Sequence, residues 1–276
     1  MKSALFSAAW LGLALSTAGI PCFAQLHNNT EKRLSCNDGG SYGDQARHCD
    51  IREQSLPSIG KLDVDASPNG GVTVKGWLQN GVLLRTRVDA SGDTQSEADA
   101  IASSVFIDAS GGQVRARGPE SGRRHSGWSV SYEIFVPQTS DLMLKSVNGG
   151  ITISDVRGQL QFNVINGGVH LTRVAGDISG SSVNGGVSIE LAGPVFDGRQ
   201  LDVKTQNGGV TLTVPSQYSA HIQAETNMGH IQSDFPISMV GDLTPRALDF
   251  NVGSGGALIH VATKNGGVRV KRAESN

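Results

Sequence analysis

The tripeptide Asn-Gly-Gly occurs six times in this chain, starting at Asn69, Asn148, Asn166, Asn184, Asn207 and Asn265, and a β-branched residue follows every copy. Between Asn148 and Asn207 the intervals are 18, 18 and 23 residues, the range in which one supersecondary unit is repeated along a chain. Asparagine tolerates positive φ and bonds its own backbone, and glycine has no Cβ to clash, so each triplet is a corner where the chain turns sharply. Past each corner apolar and polar residues alternate: Ile151 and Ile153, Val169 and Leu171, Val187 and Ile189, and Val210 and Leu212 should point inward, with Thr152, His170, Ser188 and Thr211 outward. Two degenerate copies are aligned by the same alternation, at Met228-Gly229-His230-Ile231 and Ser254-Gly255-Gly256-Ala257. The pattern predicts an all-β fold, specifically a β-solenoid or β-helix-like stack. In it Asn148, Asn166, Asn184, Asn207 and Asn265 form a turn ladder, each amide bonded to the units on either side.

The start of the chain reads as a targeting segment. Lys2, an apolar run over 4–18 and the small-x-small site Cys22-Phe23-Ala24 predict a signal peptide over 1–24, with a mature start at Gln25. A lipidated Cys22 is the alternative, and Pro21 disfavours it. No later run reaches the ~18 apolar residues of a membrane span. In an oxidising compartment Cys36 and Cys49 should form a disulfide worth roughly 3 kcal/mol, metal binding with His48 being the weaker option. The formal charge of −2 becomes −3 once Lys2 goes, with no basic cluster beyond Arg123-Arg124, which argues against nucleic acid as a partner.

The expected organisation is a signal peptide (1–24), a polar disulfide-clipped extension or cap (25–58), a β-strand-repeat domain (59–271) and a polar tail (272–276). Residues 94–104 carry the one clear helical stripe, with Thr94 or Ser96 as cap and Ala98, Ile101, Ala102 and Val105 on one face. Asn80-Gly81 reads as a tight turn between two strands.

The run Asn69-Gly-Gly-Val-Thr-Val-Lys-Gly-Trp77, the segment Trp128-Ser-Val-Ser-Tyr-Glu-Ile-Phe-Val-Pro137 and the Asn-Gly-Gly train ending near Asp234-Phe235-Pro236 resemble the bacterial putative-adhesin family. These are β-strand-repeat domains of unknown function in exported or envelope-associated proteins. The resemblance spans about 59–271 and implies a solenoid-like fold; it supplies no catalytic residues.

The chemical motifs are weak. Gly39-Gly40-Ser41-Tyr42-Gly43 matches a nucleophile elbow but follows no strand and precedes no helix. Asp63, Asp65, Ser67 and Asn69 alternate like calcium ligands, yet Pro68 and Val74 occupy the positions where an EF-hand needs glycine and glutamate. Asp155, Asp177, Glu190 and Asp202 fall at different phases of their units and should not converge as a glycosidase pair must. His170 and His260 should be solvated. His230 replaces a corner glycine where Met228 replaces asparagine; with Asp234 it is a candidate binding spot, the other reading being a bulge in a degenerate unit.

The sequence thus predicts a non-enzymatic exported module, binding or structural, at the bacterial cell envelope. No cofactor, metal or catalytic residue is expected, and the partner is an unidentified envelope or surface ligand, protein or glycan. The alternative is a polysaccharide-binding or polysaccharide-degrading protein on a β-helix scaffold. A carboxylate pair in a groove would favour the enzyme, and an exposed Trp77 or Trp128 a lectin.

Overall fold

The computed structural model describes residues 28–38, 45–58, 60–120, 126–236 and 246–273. The expected signal peptide, the 39–43 elbow motif, Arg123-Arg124 and the last three residues of the tail lie outside the described residues. Among the described residues twenty strands and one α-helix follow one another. The N-terminal half holds β1 (Ala46–Leu56), β2 (Lys61–Asp65), β3 (Val72–Trp77), β4 (Val82–Gly92), α1 (Gln95–Ser104), β5 (Phe106–Ser110), β6 (Gln113–Arg117) and β7 (Gly127–Pro137). The repeat region supplies β8 (Asp141–Asn148), β9 (Ile151–Ser154), β10 (Leu160–Asn166), β11 (Val169–Val174), β12 (Ile178–Asn184), β13 (Val187–Leu191), β14 (Gln200–Asn207) and β15 (Val210–Val214). Then come β16 (Ala220–Met228), β17 (Ile231–Ser233), β18 (Ala247–Val252), β19 (Leu258–Asn265) and β20 (Val268–Arg272).

These strands build two ten-stranded sheets. The first runs β1-β4-β7-β3-β9-β11-β13-β15-β20-β17, and the second β18-β16-β19-β14-β12-β10-β8-β2-β6-β5. One apolar core joins them: Leu144, Leu160, Ile178 and Leu201 from the second sheet cluster with Ile151, Val169, Val187 and Val210 from the first. From Asn148 onward each Asn-Gly-Gly carries the chain from a second-sheet strand to a first-sheet strand, as between β10 and β11. The outer positions alternate with this core, so Thr152, Ser188 and Thr211 are half-buried and His170 is exposed.

The expected β-solenoid is not what the chain forms. Both sheets are mixed, and no solenoid closure is present among the described residues. Antiparallel pairs occur at β1/β4, β4/β7, β5/β6 and β16/β18. Strand order also departs from chain order, because β19 lies between β14 and β16 and β20 between β15 and β17. A corner amide inside a row can bond on both sides, whereas methionine offers no such group. The amide row therefore ends before Met228, and the later unit carrying Asn265 is inserted between the Met228 unit and the Asn207 unit. Ser254 opens no unit at all. It lies in the turn from β18 to β19, where Gly253 and Gly255 adopt positive φ of 59° and 77°.

Two smaller expectations also change. Asn80-Gly81 does not join paired strands, since β7 separates β3 from β4. Residues 46–56, read as part of an irregular extension, are an eleven-residue edge strand. The helix runs Gln95–Ser104 with Thr94 as cap: its hydroxyl accepts from the Glu97 N–H, while Glu97 reaches back to the Asp93 N–H at 3.0 Å.

The two glycines of a triplet differ in what surrounds them. A Cβ on Gly149, Gly167, Gly185 or Gly208 would fall 2.2, 2.4, 2.0 or 2.4 Å from a neighbouring main-chain oxygen. On Gly186 or Gly209 the nearest atom would be 3.3 or 3.2 Å away. Gly185→Ala is therefore expected to destabilise the protein by about 1–3 kcal/mol through forced backbone displacement, and Gly186→Ala by less than Gly185→Ala. Equal urea midpoints for the two variants would show that backbone contact at the first glycine is not what the triplet secures.

Candidate ligand-binding faces

At the corners the five asparagines of the expected ladder occupy adjacent positions. Asn166 Nδ2 donates to Asn148 Oδ1 at 2.8 Å, Asn184 to Asn166 at 2.8 Å, Asn207 to Asn184 at 2.9 Å and Asn265 to Asn207 at 2.7 Å. Asn148 continues the row to Asn69 Oδ1 at 3.0 Å. Behind them Ser182, Thr205 and Thr263 donate their hydroxyls to the carbonyls of Gly167, Gly185 and Gly208.

Residues 28–38 form a strap across the outer face of the first sheet. Asn29 Nδ2 bonds Asp155 Oδ2 at 2.6 Å beyond β9, Lys75 Nζ on β3 donates to the Glu31 carbonyl at 2.6 Å, and Arg87 on β4 donates to the Ser35 carbonyl at 3.1 Å. The disulfide Cys36–Cys49, with Cα atoms 5.8 Å apart, ties the strap to β1. Its centre is Glu133 on β7, only 2% exposed, which accepts from the Arg33 and Leu34 N–H groups and pairs with Lys75 at 2.7 Å and Arg85 at 2.5 Å. Burial opposes ionisation of this carboxyl, but the Lys75 ammonium and the two main-chain donors outweigh it and hold it below the ordinary glutamate range. Sequence reading missed this cluster, because nothing in the polar run 28–38 signals that its amides are aimed at a carboxylate about a hundred residues away.

The second sheet carries the more open face. One row of outward side chains crosses it in register: Asp63, Met143, Gln161, Ser179, Asp202, His260, Gln223 and Asp249. Above β12 the surface dips, since the outward residues there, Ser179 and Ser181, project little. Two adjoining depressions of about 300 and 260 Å³ share Gln161 and Ser179; the first also meets Gln159, Asp177, Arg199 and Gln200, and the second Met143, Lys145 and Asn163. Asp177 closes one end, accepting from Arg199 N at 2.6 Å and Nε at 2.8 Å, and these bonds keep its carboxyl below the usual range. The first depression is walled mainly by amides, a hydroxyl and the Asp177–Arg199 pair, whereas the second is also lined by Met143, Leu144 and Phe162.

His260 is not simply solvated. It lies 2.7 Å from Asp202 Oδ1 through Nδ1 and 3.9 Å from Glu225 Oε2 through Nε2. Burial resists the charge on Asp202, while His260 and Lys204 more than compensate and lower its pKa. The imidazole sits between the two carboxylates, in the space a glycosidic bond would need. Asp177 and Asp155 are each committed to an arginine, Arg199 and Arg173. Among the described residues no three His, Cys, Asp or Glu side chains are grouped to hold a metal.

His230 and Asp234 do not come together. They flank the extended strand β17, four residues or about 13 Å apart. Asp234 Oδ2 accepts from the Arg272 N–H at 3.3 Å, and His230 lines a separate cavity of about 450 Å³ with Thr211, Gln232 and Arg269. Trp77 is core, 9% exposed and packed against Phe135 with ring centroids 5.3 Å apart; Trp128 is half-buried and packs against the core.

No protein-family model matches the chain, and no curated protein does. Among solved structures the chain is similar to a putative cell adhesion protein from Clostridium sporogenes ATCC 15579, at 12% identity and a TM-score of 0.43 over 82% of this chain and 100% of that one. It is also similar to a putative adhesin from Bacteroides fragilis NCTC 9343 (10% identity, TM-score 0.35, 82% and 97% covered). A third is a putative lipid binding protein from Parabacteroides distasonis ATCC 8503 (8% identity, TM-score 0.28, 82% and 95% covered). Likenesses this loose carry no functional assignment to this chain.

Two outcomes are expected. Glu133→Gln should cost about 3–5 kcal/mol, because Lys75 and Arg85 lose their buried counter-charge. In the unaltered protein, a carboxyl held below its unfolded pKa contributes stability above the ordinary glutamate range, and that contribution is lost as pH falls through the folded value. Denaturant melts from pH 7 to pH 3 should thus converge for the two proteins at the acid end. In the corner row, Asn166→Ala should cost about 1–3 kcal/mol and Asn80→Ala less. A double-mutant cycle of Asn166 with Asn184 should depart from additivity by more than ~0.5 kcal/mol; additive losses would mean that the bond between these two amides contributes nothing.

Proposed function

We propose that this protein is a non-enzymatic binding module exported to the bacterial cell envelope, and that it holds a surface ligand against the outer face of the second sheet. The trough over β12 carries this reading. It is open, lined by Gln159, Gln161, Asn163 and Ser179 with Met143 and Phe162 at its far side, and fixed at one end by the Asp177–Arg199 pair. Amides and a hydroxyl at strand spacing, ~4.8 Å apart across the sheet, beside the apolar patch of Met143 and Phe162, suit an extended ligand with both polar and apolar surface. The Cys36–Cys49 bridge agrees with an oxidising compartment, and among the described residues no helix is long and apolar enough to cross a membrane. A hydrolytic role finds no support at Asp202 and Glu225, which His260 keeps apart.

The test is co-sedimentation of the full chain with isolated envelope fragments of the producing bacterium. Ser179→Arg, which fills the trough without touching the core, should lower the bound fraction at least fivefold. Thr211→Arg, on the outer face of the first sheet, should leave it unchanged. Equal losses in both variants, or in neither, would overturn the assignment of the ligand to the second sheet.

A further inference from the structure

The chain contains seven Asn-Gly pairs, the six corners and Asn80-Gly81. In such a pair the asparagine side chain is open to attack by the next main-chain nitrogen, because glycine has no Cβ to shield it. The seven pairs meet this chemistry differently. At all six corners the glycine N–H is already donated to the main-chain carbonyl of the neighbouring corner, from Gly70, which donates to Asn148, to Gly266, which donates to Met228, each bond being 2.9 or 3.0 Å long. The side-chain nitrogen of every corner asparagine after the first is bonded as well. Among the described residues no corner follows Gly229, and the residue before that glycine is Met228, which has no amide to lose. Asn80-Gly81 stands outside this arrangement. It lies in the loop 78–81 between β3 and β4, and Asn80 is exposed. The Trp77 indole holds the Gly81 carbonyl at 2.9 Å, while among the described residues nothing accepts the Gly81 N–H.

We infer that Asn80 is a site of spontaneous deamidation in the folded protein, and that the corner bonds spare the other six asparagines. The Gly81 main-chain nitrogen attacks Asn80 Cγ: the N–Cγ bond forms, the Cγ–Nδ2 bond breaks, and Nδ2 leaves as ammonia with the proton that the Gly81 nitrogen gives up. Water then opens the cyclic imide at either of its carbonyls, which leaves aspartate or isoaspartate. At a corner the same attack must first break the bond from the glycine N–H and turn a peptide group that is tightly enclosed, since a Cβ on Gly185 would already fall 2.0 Å from the Gly167 carbonyl oxygen. The row thus shields the dipeptide that builds it. The inference does not depend on the trough of the second sheet.

The sequence supplies its own control, because Gln79-Asn80-Gly81 and Gln206-Asn207-Gly208 are the same tripeptide, one in the loop and one in the row. Peptide mapping by mass spectrometry of the full chain, aged in warm and mildly alkaline buffer, reads both conversion rates. In the native protein Asn80 should convert about tenfold faster than Asn207 or more, because the corner must open before it can react. In urea the two rates should agree within about threefold, since the local chemistry is identical and no native protection remains. Gly81→Ala fits the loop, the nearest atom to its Cβ being 3.6 Å away, and the added methyl should slow conversion at Asn80 about tenfold with an unchanged thermal midpoint. A native rate at Asn207 equal to that at Asn80, or a preference for Asn80 that persists unchanged in urea, would overturn the assignment.

Discussion

Main-chain contact at the corners is the constraint from which the rest of the fold follows. Where Gly167 meets the Gly149 carbonyl, or Gly185 the Gly167 carbonyl, there is no room for a single additional carbon. That contact fixes the separation of neighbouring corners, and through it the register of the strands that leave them: Val169 pairs with Ile151 and Val187, and Asn166 with Asn148 and Asn184. Once register is fixed, period-two alternation sends Ile151, Val169, Val187 and Val210 into one core and their neighbours to the surface. The asparagine amides then align as a consequence of register and add bonds to a geometry that the glycines have already set.

Much of this was legible in the sequence, and the parts that were not have identifiable physical causes. The corners, the alternation, the Thr94-capped helix and the Cys36–Cys49 bridge all rest on local chemistry, which a linear reading can see. The strap and its buried Glu133 depend on main-chain donors, whose direction no side-chain pattern records. Insertion of the Asn265 unit ahead of the Met228 unit was foreshadowed by the missing amide, but spacing alone suggested uniform stacking, and the antiparallel strands β4 and β18 break that uniformity. His260 illustrates the cost of this error. It meets Asp202, 58 positions away, only because β19 pairs with β14. The trough was hidden for a different reason, since it is made by what the small side chain of Ser179 lacks.

The two outer faces are used differently, and the difference is electrostatic. On the first sheet, charges that would otherwise face water are covered: Lys75, Arg85 and Glu133 lie beneath residues 28–38, and each is at most 8% exposed. Desolvating three charges is costly unless each is paired, and here the strap supplies main-chain N–H and carbonyl partners that complete the set. This face is closed by its own chain. The second face has no such cover among the described residues; its Lys145, Lys204 and Arg199 remain exposed, and its small residues leave a dip. A surface that keeps its polar groups solvated can exchange water for a ligand without first displacing a folded segment.

The sheet margins bear on the same choice between face and edge. An open strand edge offers unpaired N–H and carbonyl groups and invites pairing with another chain. Here the margin of the first sheet is β1, which carries Arg47, Asp50, Arg52 and Glu53, with Arg52 turned to the Val105 and Ala102 carbonyls at the end of α1. The opposite margin is β17, only three residues long. In the second sheet β18 folds back antiparallel on β16 and β5 on β6, so parallel growth stops at both sides. Charge on β1 and the brevity of β17 each discourage edge-to-edge addition at the margins of the first sheet, which agrees with the proposal that a face rather than an edge meets the partner.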